Sequence, residues 1–253
     1  TTQELSNTVT IYTKEYTENG RYKITIFEPE NITYFYIYAQ ANNTQQALNQ
    51  FFIYSGEISK LRKITILYIY NSPGFYNNIT CESTELLKLT QLHYILLRNS
   101  MNIGEGVIRK FAKELTILRI HEANKLDFQP DELTNCKLVT YLYLYNKSSN
   151  PFLELEDGTL KELVSLTDGY LYFYRVHMNI LPDDSFYNAH YIYFNTCNLT
   201  SQSVDNAIII AANSGYTNKT LFLGGNARRT HASDADKALL LSRGWVVTVS
   251  EPL

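Results

Sequence analysis

The chain of 253 residues has only three cysteines, Cys81, Cys136 and Cys197. Three scattered thiols supply neither the even count of a disulfide framework nor the CxxC spacing of a structural zinc site. A basic excess is missing as well. The 22 lysines and arginines stand against 25 aspartates and glutamates, a formal net charge of −3, and the sequence pI is near 6.0. General nucleic-acid binders carry the opposite balance, so no nucleic-acid partner is expected. Long apolar runs are also absent. The longest aliphatic stretch is Ala207–Ala212, far short of the roughly 20 residues that cross a bilayer, so no membrane insertion is expected within this chain. The opening Thr-Thr-Gln-Glu-Leu carries no basic-then-apolar signal pattern.

Catalytic signatures are equally scarce. The five histidines (His93, His121, His177, His190, His231) show no HxH or HExxH spacing. Asp183-Asp184 and the Asp234/Asp236 pair sit at expected turn or helix starts, where carboxylates complement the helix dipole. Gly224-Gly225-Asn226 is a lone turn without a phosphate-loop lysine, and no G-x-S-x-G occurs. No enzyme, no metal and no cofactor is the resulting expectation. Six N-x-[ST] sequons, at Asn31, Asn42, Asn78, Asn146, Asn198 and Asn218, fall in a chain so rich in Asn, Ser and Thr that they do not establish a secretory route.

What the chain does have is tyrosine, 21 in all, and a phrase that repeats. Ile-Thr-Tyr-Phe-Tyr-Ile-Tyr (32–38) is followed by related seven-residue phrases at 64–70, 92–98, 115–121, 139–145, 168–174, 189–195 and 218–224, starting 21 to 32 residues apart. With each phrase numbered 1 to 7, positions 4 and 6 are apolar in all eight, from Phe35/Ile37 to Leu221/Leu223. Such alternation predicts a strand with positions 4 and 6 on one face and 3, 5 and 7 on the other.

The apolar spacing resembles that of the leucine-rich repeat family, whose unit runs L-x-x-L-x-L-x-x-N/C-x-L over 20–29 residues. The resemblance spans about residues 32–226. Asn226 and Cys197-Asn198-Leu199 match its closing N/C-x-L. Elsewhere asparagine falls one place early (Asn71, Asn99, Asn146), or the site holds Gln40, Ala123 or Val176. The resemblance implies an α/β leucine-rich repeat solenoid, a horseshoe with a parallel sheet on its concave face and mixed helix and turn connections on the other. The spacing from Ile32 to Ile64 exceeds the family range and predicts a longer connection there.

Gly104–Leu115 and Glu82–Leu89 have helical apolar spacing, and Pro130-Asp-Glu-Leu and Pro182-Asp-Asp-Ser-Phe read as turns. Val9–Tyr16 and Arg21–Phe27 alternate around Glu18-Asn-Gly20, the signature of a hairpin. The domain reading is one solenoid: an N-terminal hairpin cap over 1–31, repeats over 32–199, and a last repeat with a C-terminal cap over 200–253. Within that cap, helices are expected from Ser201 to about Ser214 and from Ser233 to Gly244, then a strand over Trp245–Val249. This end resembles the C-terminal portion of bacterial and phage leucine-rich repeat proteins.

Positions 3, 5 and 7 of the first seven phrases make 21 outward sites, and tyrosine holds 14 of them: Tyr34, Tyr36, Tyr38, Tyr68, Tyr70, Tyr94, Tyr141, Tyr143, Tyr145, Tyr170, Tyr172, Tyr174, Tyr191 and Tyr193. Composition alone would put about two there. The rest are Ile66, Leu96, Arg98, Ile117, Arg119, His121 and Asn195. β-Propensity by itself would admit Val, Thr and Phe, and none occurs. A recognition surface explains the choice, because tyrosine gives large rigid contacts with a hydroxyl to spare. Arg98, Arg119 and His121 interrupt the tyrosines and are expected to orient an acidic or polar group of the ligand. The expected function is therefore a ligand-binding module on a cell or virion surface or outside the cell, taking a macromolecule, protein foremost and glycan as the other candidate. A sharper version is a diversified face, as in the leucine-rich repeat antigen receptors of jawless vertebrates, which the chain resembles in architecture but without their cysteine-paired caps. The alternatives are a phage tail or bacterial adhesin domain with a fixed ligand, and a structural solenoid with none.

Overall fold

The computed structural model describes residues 31–39, 56–71, 83–98, 104–121, 129, 131–146 and 153–252. The expected N-terminal hairpin lies outside the described residues, as does the long connection after the first phrase up to residue 55.

Every phrase becomes a strand, because its β-branched and aromatic residues alternate with period 2. The strands are β1 (Tyr34–Ala39), β2 (Ile66–Asn71), β3 (Tyr94–Arg98), β4 (Ile117–His121), β5 (Tyr141–Tyr145), a short β6 (Leu153–Glu154), β7 (Tyr170–Tyr174), a short β8 (Val176–His177), β9 (Tyr191–Asn195), β10 (Thr220–Phe222) and β11 (Val246–Thr248). All but β6 and β8 form one nine-stranded sheet in chain order, β1-β2-β3-β4-β5-β7-β9-β10-β11, and every pairing is parallel. The register matches the phrases number for number: Tyr68 lies opposite Leu96, Leu96 opposite Arg119, Arg119 opposite Tyr143, Tyr143 opposite Tyr172 and Tyr172 opposite Tyr193. From β2 onward no position 4 or 6 side chain is more than 3% exposed. Each contributes on the order of 1.5–3 kcal/mol by leaving water, and a slip of one residue would expose a whole strand's pair.

The connections are short. The helical spacing over 104–115 yields α1 (Val107–Phe111) running into a 3-10 turn at Ala112–Glu114, whereas that over 82–89 yields only a 3-10 turn, Ser83–Lys88. Buried carboxylates tie neighbouring connections together. Glu85 accepts from the Gly56 amide (2.5 Å) and the Ser59 amide (3.2 Å), and Glu132 accepts from the amides of Gly106 and Arg109 (2.9 Å for the latter). Each acid thus takes two amides at the start of the preceding helical turn, groups that the turn itself leaves unpaired.

Asn226 forms the expected closing ladder. Its Oδ1 accepts from the amides of Cys197 (2.8 Å) and Leu199 (3.2 Å), and its Nδ2 donates to the carbonyls of Phe194 (2.6 Å) and Leu223 (3.0 Å). Cys197 Sγ donates to Phe173 O at 3.4 Å. At the preceding ladder site stands Val176, and there the backbone does the work instead. β8 pairs with β6, with the Leu153 amide donating to Arg175 O (3.2 Å) and the Leu155 amide to His177 O (2.9 Å).

At the C-terminal end, α2 (Ser201–Asn213) is capped by Thr200, whose hydroxyl accepts from the Ser203 amide at 3.1 Å. Val204, Ala207, Ile208 and Ala211 form its buried stripe. α3 (Asp234–Ser242) packs on α2 and leads through Gly244 (φ +78°) into β11. Arg229 is buried and joins Glu251 (2.6 Å) and Asp234, while Asp205 accepts from the hydroxyls of Thr230 and Ser233, both at 2.6 Å.

One buried acid lacks full satisfaction. Asp184 is 3% exposed; its Oδ2 accepts from the Leu181 amide (2.8 Å) and its Oδ1 has no hydrogen-bond partner. Burial pushes its carboxyl up to about 6. A folded-state value above the unfolded one, about 3.9, means that folding favours the protonated form. The group therefore costs nothing below pH 4, and its penalty grows as the pH rises to about 6 and persists above. Asp184→Asn is expected to gain about 2 kcal/mol over the parent at pH 7 and nothing at pH 4. Urea denaturation at the two pH values reads this, and an equal gain at both would contradict it.

Candidate functional site

The strand alternation places positions 3, 5 and 7 together on the sheet face opposite the core, in three columns. The first runs Tyr34, Ile66, Tyr94, Ile117, Tyr141, Tyr170 and Tyr191. The central one runs Tyr36, Tyr68, Leu96, Arg119, Tyr143, Tyr172 and Tyr193. The third runs Tyr38, Tyr70, Arg98, His121, Tyr145, Tyr174 and Asn195. Of Tyr38 only the backbone, paired with Tyr70 in the register, is described.

The tyrosines do not lie flat. Neighbouring strands stand about 4.8 Å apart, and the rings fill that step face to face. Tyr36 stacks on Tyr68 with centroids 4.2 Å apart, Tyr141 on Tyr170 at 4.7 Å, Tyr143 on Tyr172 at 4.4 Å and Tyr145 on Tyr174 at 4.5 Å, with interplanar angles between 9° and 20°. His121 continues the third column, 4.5 Å from Tyr145. Tyr172, Tyr193 and Phe222 extend the central one at 5.8 and 5.6 Å. Mutual stacking leaves most rings half-buried; Tyr34 and Tyr36, at 62% and 60%, are the most exposed of the described tyrosines.

β3 and β4 break this pavement. Leu96, on the same face, is only 4% exposed between Tyr68 and Arg119. The Arg98 guanidinium lies 4.7 Å from the Tyr70 ring centre and donates to the Tyr70 hydroxyl. Arg119 lies 5.2 Å from the Tyr141 ring centre and 5.4 Å from that of Tyr143. Its Nε is buried without a hydrogen-bond partner. Arg98 and His121 are register neighbours, so the sheet brings all three sequence-predicted basic residues into one seam. No Asp or Glu occupies any of the three columns in the eight phrases.

Four of the hydroxyls are held more firmly protonated than a free phenol. Burial, and then the phenols beside them, push Tyr68 and Tyr170 up to about 12, and burial raises Tyr143 and Tyr172 as well. Asn195 hydrogen-bonds the Tyr172 side chain and closes the third column. Sequence reasoning ended the face at the seventh phrase and so missed Phe222, although position 5 of the eighth phrase marks it. The Phe222 ring lies over Gly224, where a Cβ would meet it at 2.6 Å.

Among the described residues no three His, Cys, Asp or Glu side chains gather as a metal site requires, and no helix is long and apolar enough to cross a membrane. Cys136 and Cys197 are buried thiols, pushed by burial up to about 12 and so poor nucleophiles. The chain matches no family model, no curated protein and no solved structure.

Proposed function

We propose that this chain is a leucine-rich repeat solenoid that recognises a macromolecule through the tyrosine columns on the concave face of its sheet. The observation that carries this reading is the face itself. Across seven strands, on the order of 30 Å from end to end, stacked tyrosines flank a basic seam and the outward columns contain no acid, in a chain whose net charge is −3. Rigid amphipathic rings bound with little loss of rotamer freedom are the composition of a recognition surface. The apolar frame, matched strand by strand, and the Asn226 ladder support the family reading.

The ring stacking also favours a second reading, a solenoid stabilised by its aromatic columns, since a stacked pair contributes about 0.5–1.5 kcal/mol beyond burial. One double variant separates the two. Tyr143→Thr with Tyr172→Thr keeps β-propensity and removes the central stack. Screening parent and variant against arrays of extracellular proteins and of glycans is expected to give a partner that the variant loses. A fall of about 2 kcal/mol in stability with every array signal unchanged would leave the structural reading in its place.

A further inference from the structure

The two ligand classes open to a tyrosine face, polypeptide and glycan, use aromatic rings differently. A sugar packs its CH face on the flat of a ring, and that flat must be free. Around the basic seam, from β4 to β7, the flats are taken. Tyr145 is sandwiched between His121 and Tyr174, both with centroids at 4.5 Å. Tyr143 lies between Arg119 and Tyr172, and Tyr141 between Arg119 and Tyr170. Rings stacked from strand to strand show their edges and hydroxyls to an approaching ligand. Ring edges carry the positive side of the quadrupole, so they favour carbonyl and carboxylate oxygens over aliphatic CH groups.

Charge narrows the class further. Arg98, Arg119 and His121 share the seam at β3–β4, no carboxylate lies in the columns, and Arg119 makes no ion pair among the described residues. Its planar guanidinium, held over the Tyr141 and Tyr143 rings, suits a planar, two-oxygen acceptor.

We propose that the partner is an acidic polypeptide segment, with a carboxylate seated on the Arg98–Arg119–His121 seam and its backbone carbonyls against the hydroxyl edges of the flanking tyrosines. The proposal rests on the reading of this face as a recognition surface and adds to it the chemistry of the occupant. It assigns the stacked rings a positioning role, while Arg119 and the hydroxyls make the contacts.

Phage-displayed random peptides, selected on the full chain, give the test, with sodium hyaluronate as the acidic glycan probe. Selected peptides are expected to be enriched in Asp and Glu and to bind the Arg98→Gln/Arg119→Gln variant about tenfold or more weakly. On the unsubstituted chain, which needs no variant to fold, high salt should weaken them by a similar factor. Peptides without acid enrichment, lost by Tyr143→Thr/Tyr172→Thr yet kept by the arginine variant, would overturn the acidic partner and leave the recognition face standing. Peptides held equally by all three proteins, or none selected at all, would remove the face reading and this inference with it. Hyaluronate bound more tightly than any selected peptide, and released by the arginine substitutions, would overturn the polypeptide assignment in favour of an acidic glycan.

Discussion

Gly169→Ala is expected to destabilise the chain by about 3 kcal/mol, the upper end of what overpacking costs, and to lower the melting temperature by about 6–12 °C. A Cβ built at this position stands 1.8 Å from the carbonyl oxygen of Thr140 and 3.1 Å from that of Leu166. Neither is a side chain that can swing away. The close approach has a local cause. In the earlier phrases the amide of position 2 donates to the position 2 carbonyl of the preceding strand, as Thr65 does to Thr33, Thr116 to His93 and Thr140 to Thr116. Asp168 adopts φ +54° and turns the next amide away, so that Gly169 donates instead to Leu166 at 2.8 Å and its Cα sits against Thr140. Gly224→Ala serves as the contrast. There the added methyl meets only the Phe222 ring, at 2.6 Å, which can rotate aside, so a loss nearer 1 kcal/mol is expected. Equal losses from the two substitutions would show that the Thr140 backbone yields more readily than its sheet position implies.

The strand frame was legible because burial imposes it residue by residue. A side chain at position 4 or 6 has no alternative to the core, so the phrase pattern carried strand identity, register and the three outward columns together, and β2 to β10 pair as the phrases align. Elements held by backbone hydrogen bonds left no such trace. β6 and β8 are two residues each, and Leu153, Glu154, Val176 and His177 show no periodicity to mark them. Their pairing stands in for the asparagine missing at Val176. The carboxylate ties of Glu85 and Glu132 were hidden for a related reason: an acid beside a turn reads as solvated until its amides are placed.

For the candidate site, the columns could be read from the sequence but the attitude of the rings could not. Alternation says which face a side chain occupies, and its χ angles decide whether the flat or the edge meets the ligand. Those angles follow from neighbours one strand away. Tyr172 stands edge-on because Tyr143 fills the step on one side and Tyr193 lies tilted on the other. Arg119 was legible as a basic residue among tyrosines; its role in ending the Tyr143 stack was not, since that depends on the parallel register that sets β4 beside β5. The same geometry separates stability from recognition. Stacking uses the ring flats and leaves the edges outward, so under the proposed reading one column of tyrosines can serve stability and recognition without competition.

Asn226→Ala is expected to cost about 3–5 kcal/mol, because it strands several groups at once. The single amide side chain satisfies the Cys197 and Leu199 amides and the Phe194 and Leu223 carbonyls. Orphaned buried polar groups cost about 1–3 kcal/mol each, and the total falls short of the sum where water reaches some of them. Asn226→Asp offers the discriminating comparison. It retains the acceptor for the two amides but cannot donate to the two carbonyls, and it sets a charge beside them. Its cost at neutral pH should therefore approach that of alanine and ease as acid protonates the carboxyl. Amide hydrogen exchange provides the local readout, with the Cys197 and Leu199 amides losing protection in the alanine variant and keeping it in the aspartate variant. The effect should stay near the β9–β10 loop, since the Val176 site is closed chiefly by β6–β8 pairing and does not depend on Asn226. Loss of protection at Leu153 or Leu155 in the same variant would mean that the two closures fold as one unit.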